Sequence, residues 1–291
     1  MNGSSRTTRG AVFGSAGLLV GVALLSGCGS GDEGGSKDSD KAGSSDSAQA
    51  QSPAEAVQAT NKKTTQAETA KIAMTVTTSG GQAQGKKVTG DGVMDLQDGT
   101  SKLTLDQGPN TIEQRVVDQV LYQKLPKKAA EQLPDGKTWM KVDLGELQTR
   151  GGANKGLNDP AGSLAYTKSL SEKNVEKLGT EKVGGTKTTH YRVRLDLAKM
   201  AKGDAAQQKK LREQLGDDVP MELWIDDKGM TRRQEIELRV QPSGAEGGKK
   251  QKVKTVVELS DFGTEVDVQP PPSGKTADMT DQAAKGAKQS S

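Results

Sequence analysis

Ile72-Ala73-Met74-Thr75-Val76-Thr77 alternates large apolar residues with small or hydroxyl-bearing ones. A period of two sends Ile72, Met74 and Val76 to one side of an extended strand and leaves the opposite side polar. Val88, Gly90, Gly92, Met94 and Leu96 repeat the pattern, and Leu103 with Leu105 suggest a third strand. Working outward, 111–117, 120–124, 139–144, 180–183, 190–195, 220–225, 232–240 and 253–259 read similarly. Turn signals separate them: Asp98-Gly99, Asp135-Gly136, Gly184-Gly185 and Asp227-Lys228-Gly229, where glycine takes the positive φ that tight hairpins require. Consecutive strands joined by short turns pair antiparallel.

Three stretches carry helical spacing instead. Pro53 opens one that runs to about Ala70, since proline suits the first helical position and no glycine follows. The others span about 160–178, with Leu164, Leu170, Val175 and Leu178, and about 197–215, with Met200, Leu211 and Leu215. The fold class expected is α+β. A single large, strongly curved antiparallel sheet of about 11 strands forms a half-barrel, with about three helices on its concave face.

Composition limits what such a domain can do. The chain has 291 residues, 41 Lys and Arg against 38 Asp and Glu, and is only 31% hydrophobic. A wholly globular chain lies nearer about 45–50% apolar, so part of this one falls outside any core. One histidine, His190, and one cysteine, Cys28, exclude a Cys/His zinc site and an internal disulfide. A net charge of +3, spread over both signs, lacks the local excess of a nucleic-acid groove, so no nucleic-acid partner is expected.

The N-terminus sets the compartment. Arg6 and Arg9 precede the glycine-diluted apolar run 11–25, which ends in Leu25-Ser26-Gly27-Cys28. A charged start, a short apolar stretch and small residues at its end make an export signal, too short for a confident membrane span. The last four residues resemble the bacterial lipobox, whose cysteine receives diacylglycerol before cleavage. Residues 1–27 are thus expected as a lipoprotein signal peptide and Cys28 as the lipid attachment site. The partner implied is the membrane, on its outer, extracytoplasmic face. Two acyl chains at about 0.8 kcal/mol per buried methylene suffice for lasting attachment. Residues 28–52 hold no large apolar residue and read as a flexible tether with a reach of roughly 25–30 Å. Residues 53–268 form the folded domain. Residues 269–291, opening on Pro270-Pro271-Pro272, read as a disordered tail.

Three phrases within the domain carry a resemblance. They are Val120-Leu121-Tyr122-Gln123-Lys124-Leu125-Pro126, leading to Gly136-Lys137-Thr138-Trp139-Met140-Lys141-Val142-Asp143-Leu144; Thr188-Thr189-His190-Tyr191-Arg192-Val193-Arg194-Leu195-Asp196-Leu197; and Met221-Glu222-Leu223-Trp224-Ile225-Asp226-Asp227-Lys228-Gly229-Met230-Thr231-Arg232-Arg233. In this order they resemble the LolA/LppX/LprG-like lipoproteins of actinobacterial cell envelopes, over roughly residues 54–268. The resemblance implies a half-barrel with helices lining a hollow that takes acyl chains of lipids. It implies a carrier, chaperone or lipid-sensing role, and brings no catalytic residue. The low aromatic content of this chain departs from that pattern.

The function expected is binding of a lipid, a glycolipid or another long apolar molecule in the half-barrel. A strongly curved sheet offers more concave surface than thin-striped helices cover, and methionine adapts to irregular apolar partners. Met74 and Met94, with Ile72, Val76 and Leu96, are the candidate cavity-lining residues; Met140 and Met221 read as core filler. The competing reading is an envelope sensory or protein-interaction module with a filled core and no ligand, recruiting a protein partner. An enzyme is not expected. His190 shares a polar strand face with Arg192 and Arg194 and reads as solvated, no Gly-x-Ser-x-Gly elbow is present, and the pairs Asp217-Asp218 and Asp226-Asp227 adjoin turns, where carboxylates serve the backbone. No cofactor or metal is implied.

Overall fold

The computed structural model of the protein describes residues 52–80, 85–151, 170–196, 209, 218–240 and 251–289. The first element, α1 (Pro53–Thr65), opens on a capping box: the Ser52 hydroxyl accepts from the Glu55 N–H, and the Glu55 carboxylate accepts from the Ser52 N–H at 2.9 Å. Its end comes earlier than the expected Ala70. Glu68 turns to a φ of 63°, which redirects the chain into the first strand.

Twelve strands follow: β1 (Thr69–Ser79), β2 (Lys86–Asp95), β3 (Ser101–Gln107), β4 (Asn110–Val117), β5 (Val120–Lys124), β6 (Trp139–Asp143), β7 (Val175–Val183), β8 (Thr186–Asp196), β9 (Asp218–Asp226), β10 (Thr231–Val240), β11 (Gln251–Ser260) and β12 (Thr276–Asp278). They make one open, curved, mixed sheet in the order β12-β6-β5-β4-β3-β2-β1-β11-β10-β9-β8-β7. Two meanders meet at its centre. β1 to β6 step outward to one side, while β7 to β11 begin at the far edge and step inward until β11 pairs with β1. All eleven expected strands are present, and the α+β half-barrel is the architecture observed.

The tail reading is corrected. Instead of a disordered segment, residues 273–289 hold a 3-10 turn, β12 and a helix of ten residues, α4 (Thr280–Gln289); α2 (Lys127–Ala130) and α3 (Leu144–Gly151) precede it in the chain. β12 pairs with β6, Ala277 opposite Met140, and this pair is parallel, so the sheet is mixed where an all-antiparallel one was expected. The physical reason is that the segment is ordered by the rest of the sheet more than by its own apolar content: the outer edge of β6 offers unpaired backbone groups, and docking there buries Ala277. The Thr138 N–H donates to the Lys275 carbonyl at 3.1 Å and the Met279 N–H to the Lys141 carbonyl at 2.9 Å. A three-residue strand has too short a pattern to show period two.

The helices differ in placement. α1 lies on the apolar face of the sheet over the β7–β10 end: Ala54 and Val57 share a buried cluster with Val175, Tyr191, Val193 and Leu223. The Gln58 amide donates to the Leu170 carbonyl at 2.9 Å. The helix expected over 160–178 is corrected at its end, because Val175 and Leu178 belong to β7; its first part, 160–169, lies outside the described residues, as does nearly all of 197–215. α3 was not expected, and the Asp143 carboxylate caps it by accepting from the Glu146 N–H at 2.7 Å.

Candidate functional site: one apolar sheet face

Paired residues in neighbouring strands project to the same face, so the register defines the two surfaces. One row reads Val193, Met221, Ile236, Thr255, Val76 and Val88 from β8 to β2. Another reads Tyr191, Leu223, Gln234, Val257, Met74, Gly90, Leu105 and Ile112 from β8 to β4. This is one apolar face. The opposite face carries His190, Arg192, Glu222, Trp224, Glu235, Glu237, Lys254 and Glu258, held in cross-strand ion pairs such as Lys254–Glu235 at 2.6 Å and Lys252–Glu237 at 3.0 Å.

The five candidate lining residues all fall on or beside this apolar face. Ile72, Met74 and Val76 on β1, Met94 on β2 and Leu96 just after it belong to one cluster with Leu103, Leu105 and Leu259, each of the five being 2–3% exposed. They are therefore brought together, and they are sealed. Gly90 shows how: a Cβ added there would stand 2.5 Å from Leu105 Cδ2, so the Leu105 side chain occupies the space the glycine leaves.

A second group was missed. Between that cluster and the one beneath α1, Met221, Ile236, Leu238, Val253 and Val257 pack against one cluster or the other and are only partly buried. They form a strip across β9, β10 and β11, beside the centre of the sheet. Its floor is apolar, with Gln234 at 3.3 Å from the Met221 sulfur as a polar break. Alternation along 232–240 and 253–259 marks these residues as inward-facing, but partial exposure has no signature in a single strand. Tyr191, nearby on the α1 side, is 8% exposed, and burial pushes its phenol pKa up, the Thr189 hydroxyl opposing weakly.

Histidine and tryptophan sit on the other surface, and the solvated reading of His190 is corrected. Its ring stacks on Trp224 at 4.1 Å between centroids and 13° between planes, and its side chain is 16% exposed. Nε2 lies 3.0 Å from Glu222 and Nδ1 3.3 Å from Glu181. The Trp224 indole N–H donates to Glu181 and Arg233 lies over the ring at 5.1 Å. A flat, amphipathic pair covered by an arginine lets a tryptophan be buried on a polar surface. Trp139 repeats the device under Arg115, at 4.9 Å, whose guanidinium also donates to the Gln269 carbonyl at 2.7 Å. Asp226 serves its turn, accepting from the N–H groups of Lys228 and Met230 and from Arg232 Nε. Among the described residues no three His, Cys, Asp or Glu side chains are placed to hold a metal ion. Cys28 and Asp217 lie outside the described residues.

No protein-family model matches the chain, and no curated protein matches it in sequence. Solved structures do. In outline the chain resembles LppX. That lipoprotein of Mycobacterium tuberculosis is 16% identical, with a TM-score of 0.45 over 74% of this chain and 98% of its own. LprF from Mycobacterium bovis is 16% identical at a TM-score of 0.40, over 76% and 99%. A LolA superfamily protein from Nitrosomonas europaea is 8% identical at 0.28, over 74% and 94%. The likeness is one of outline alone.

Proposed function

We propose that the protein is a membrane-anchored envelope lipoprotein, held through diacylglycerol on Cys28 and the tether 28–52, that binds a lipid or other long apolar molecule on the apolar face of its sheet. It acts as a carrier or chaperone for that molecule. The observation supporting this is the partly exposed strip of Met221, Ile236, Leu238, Val253 and Val257 beside the centre of the sheet. Apolar groups left half-covered between two sealed clusters keep about 25 cal/mol of unrealised burial energy per Å², which a guest can supply. About sixteen methylenes at about 0.8 kcal/mol each amount to a gross gain of roughly 12 kcal/mol, set against roughly 4–15 kcal/mol for association. Binding then needs most of the chain buried, and selectivity among chains of similar length is loose. Ile72, Met74, Val76, Met94 and Leu96 act in this reading as the wall beside the strip.

The burial of those five residues favours a second reading for their part of the face: a filled core, as in a sensory or protein-interaction module. Native mass spectrometry of the full chain purified from its own host separates the two. The expected result is a protein peak accompanied by a heavier one whose excess mass is a solvent-extractable lipid. A bare mass in repeated preparations, together with no uptake of added palmitate, rejects the carrier and leaves the module.

A further inference from the structure

The central strands β10, β11, β1 and β2 carry different charge at their two ends. At the end holding the start of β10 and the close of β11, Arg232, Arg233 and Lys71 each face a carboxylate: Asp226 at 2.7 Å, Glu258 at 3.4 Å and Asp261 at 2.8 Å. The opposite end gathers the close of β10, the start of β11, the close of β1 and the start of β2. Five cations stand there: Lys86, Lys87, Arg239, Lys252 and Lys254. Glu237 and Glu235 engage Lys252 and Lys254. Lys86, Lys87 and Arg239 are exposed and have no carboxylate partner among the described residues. Like charges gathered without counter-charge repel one another, and an anion placed among them relieves that repulsion.

The register ties this end to the apolar strip. Leu238 pairs with Val253, Val253 with Thr78 and Thr78 with Lys86. Residues opposite one another in neighbouring strands project to one face, so Lys86 shares a row and a face with Leu238 and Val253, two members of the strip. Val253 also packs against the cluster that holds Val76 and Val88, and Val88 lies two residues beyond Lys86 on the same side of β2. At about 4.8 Å between strands, the Cα atoms of Lys86 and Val253 stand roughly 10 Å apart, a gap that a lysine stem and a ligand head group span together. Lys87 and Arg239 fall in adjoining rows that project to the other face, and add positive charge to the same rim. Asp106 on β3, which accepts from the Thr111 hydroxyl at 2.8 Å, and Asp218 on β9 flank the rim without sharing the row of Lys86.

We infer that this rim receives the head of the ligand and that the head is anionic, making the preferred class acyl lipids with a charged phosphate or carboxylate over neutral ones. An ammonium only donates, so it favours anionic oxygens over a glycerol hydroxyl. The rim is exposed, so the preference weakens as salt rises. This inference rests on the lipid-binding reading.

The test uses three probes, titrated by calorimetry into the full chain and its Lys86→Gln and Lys71→Gln variants. They are palmitoylglycerol phosphate, monopalmitoylglycerol, which lacks the phosphate, and glycerol phosphate, which lacks the chain. The native chain is expected to bind palmitoylglycerol phosphate about tenfold more tightly than monopalmitoylglycerol at low salt. That preference collapses in Lys86→Gln while monopalmitoylglycerol binding is retained, and it survives in Lys71→Gln, which removes a lysine from the opposite end. An undiminished preference in a folded Lys86→Gln variant overturns the assignment, as does an equal loss in Lys71→Gln, which would reduce the effect to net charge. Should Lys86→Gln fail to fold, the Lys86 amide resonance of the native chain decides: it shifts more with palmitoylglycerol phosphate than with monopalmitoylglycerol, and equal shifts overturn the assignment. Glycerol phosphate bound as tightly as palmitoylglycerol phosphate overturns it in favour of a free-phosphate site. Equal affinity for the two chain-bearing probes, beside salt-sensitive binding to phosphatidylglycerol vesicles, overturns it in favour of a membrane contact. If the native chain takes up neither chain-bearing probe, the lipid-binding reading falls as well.

Discussion

Ile72, Met74 and Val76 on β1 and Ile236, Leu238, Val253 and Val257 on β10 and β11 share one face of one sheet, yet the first group is sealed and the second is not. The difference comes from neighbours. β1 is flanked by β2, whose Gly90 and Gly92 let Leu105 and Leu103 of β3 come close: a Cβ at Gly92 would overlap the Lys102 carbonyl oxygen and reach 3.0 Å from Leu103 Cα. Bulky side chains then close over gaps left by residues without any. β10 and β11 have no such glycines among their described residues, and the cluster beneath α1 draws its buried residues from the β7–β9 end of the sheet. Two strands in identical hydrogen-bonded register can thus serve stability in one place and remain available to a guest in another.

Truncating the sealed group breaks this comparison most severely. Ile72→Ala removes a side chain that is 2% exposed, inside a cluster that cannot collapse onto rigid strand backbones. A loss of about 2–5 kcal/mol is expected from the urea unfolding midpoint, unchanged in sign by any added lipid. A loss under 1 kcal/mol would mean that the cluster is loosely packed and belongs with the strip.

The matching change in the strip sharpens the contrast. Leu238→Ser places a hydroxyl where the native side chain is already partly exposed, so its stability cost is expected to be well below that of Ile72→Ala, about 1 kcal/mol, while palmitate affinity falls at least several-fold. Measured together, unfolding midpoint and palmitate titration should move in opposite proportion for Ile72→Ala and Leu238→Ser. Equal effects on both readouts for the two variants would erase the division between sealed and open surface.

Strand existence was most readable where one face is fully buried, as in β1, whose buried residues alternate along the strand, because period two is a local property of the chain. Strand order was not, since it depends on how the two meanders join: nothing in 253–259 says that β11 should pair with β1. The Asp118-Gln119 hairpin lacks glycine although both residues have positive φ, 51° and 61°, so it offered no turn signal. His190 was misjudged for a related reason. Its own strand shows polar neighbours, but its burial is made by Trp224 one strand away and by Glu181 on β7. Ile72, Met74, Val76, Met94 and Leu96 gather in one buried cluster, and exposure, which decides what can meet a ligand, is settled by residues distant in sequence.

The smallest effect expected concerns the far edge, where β12 and α4 replace the anticipated tail. Asp278 accepts from the Thr280 N–H at 3.0 Å and pairs with Lys141 at 3.1 Å. The backbone and hydroxyl of Thr280, then Lys141, hold its pKa down to about 2. A carboxylate depressed in the folded state contributes stability above its unfolded value, near 3.8, and loses it as pH falls through the folded one. The side chain is 56% exposed, so water screens the contribution to below about 1 kcal/mol. Asp278→Asn keeps an acceptor for Thr280 and cannot titrate. The native chain should exceed it in stability by a few tenths of a kcal/mol at pH 5, and the gap should close between pH 4 and pH 2. Hydrogen exchange at Ala277 and Met279 should follow the same profile, because the carboxylate ties α4 to β12 and so to β6, whereas amides of β1 should not. A gap that persists unchanged at pH 2 would show that the Asp278 contact does not hold this edge, leaving the parallel pairing with β6 to do so alone.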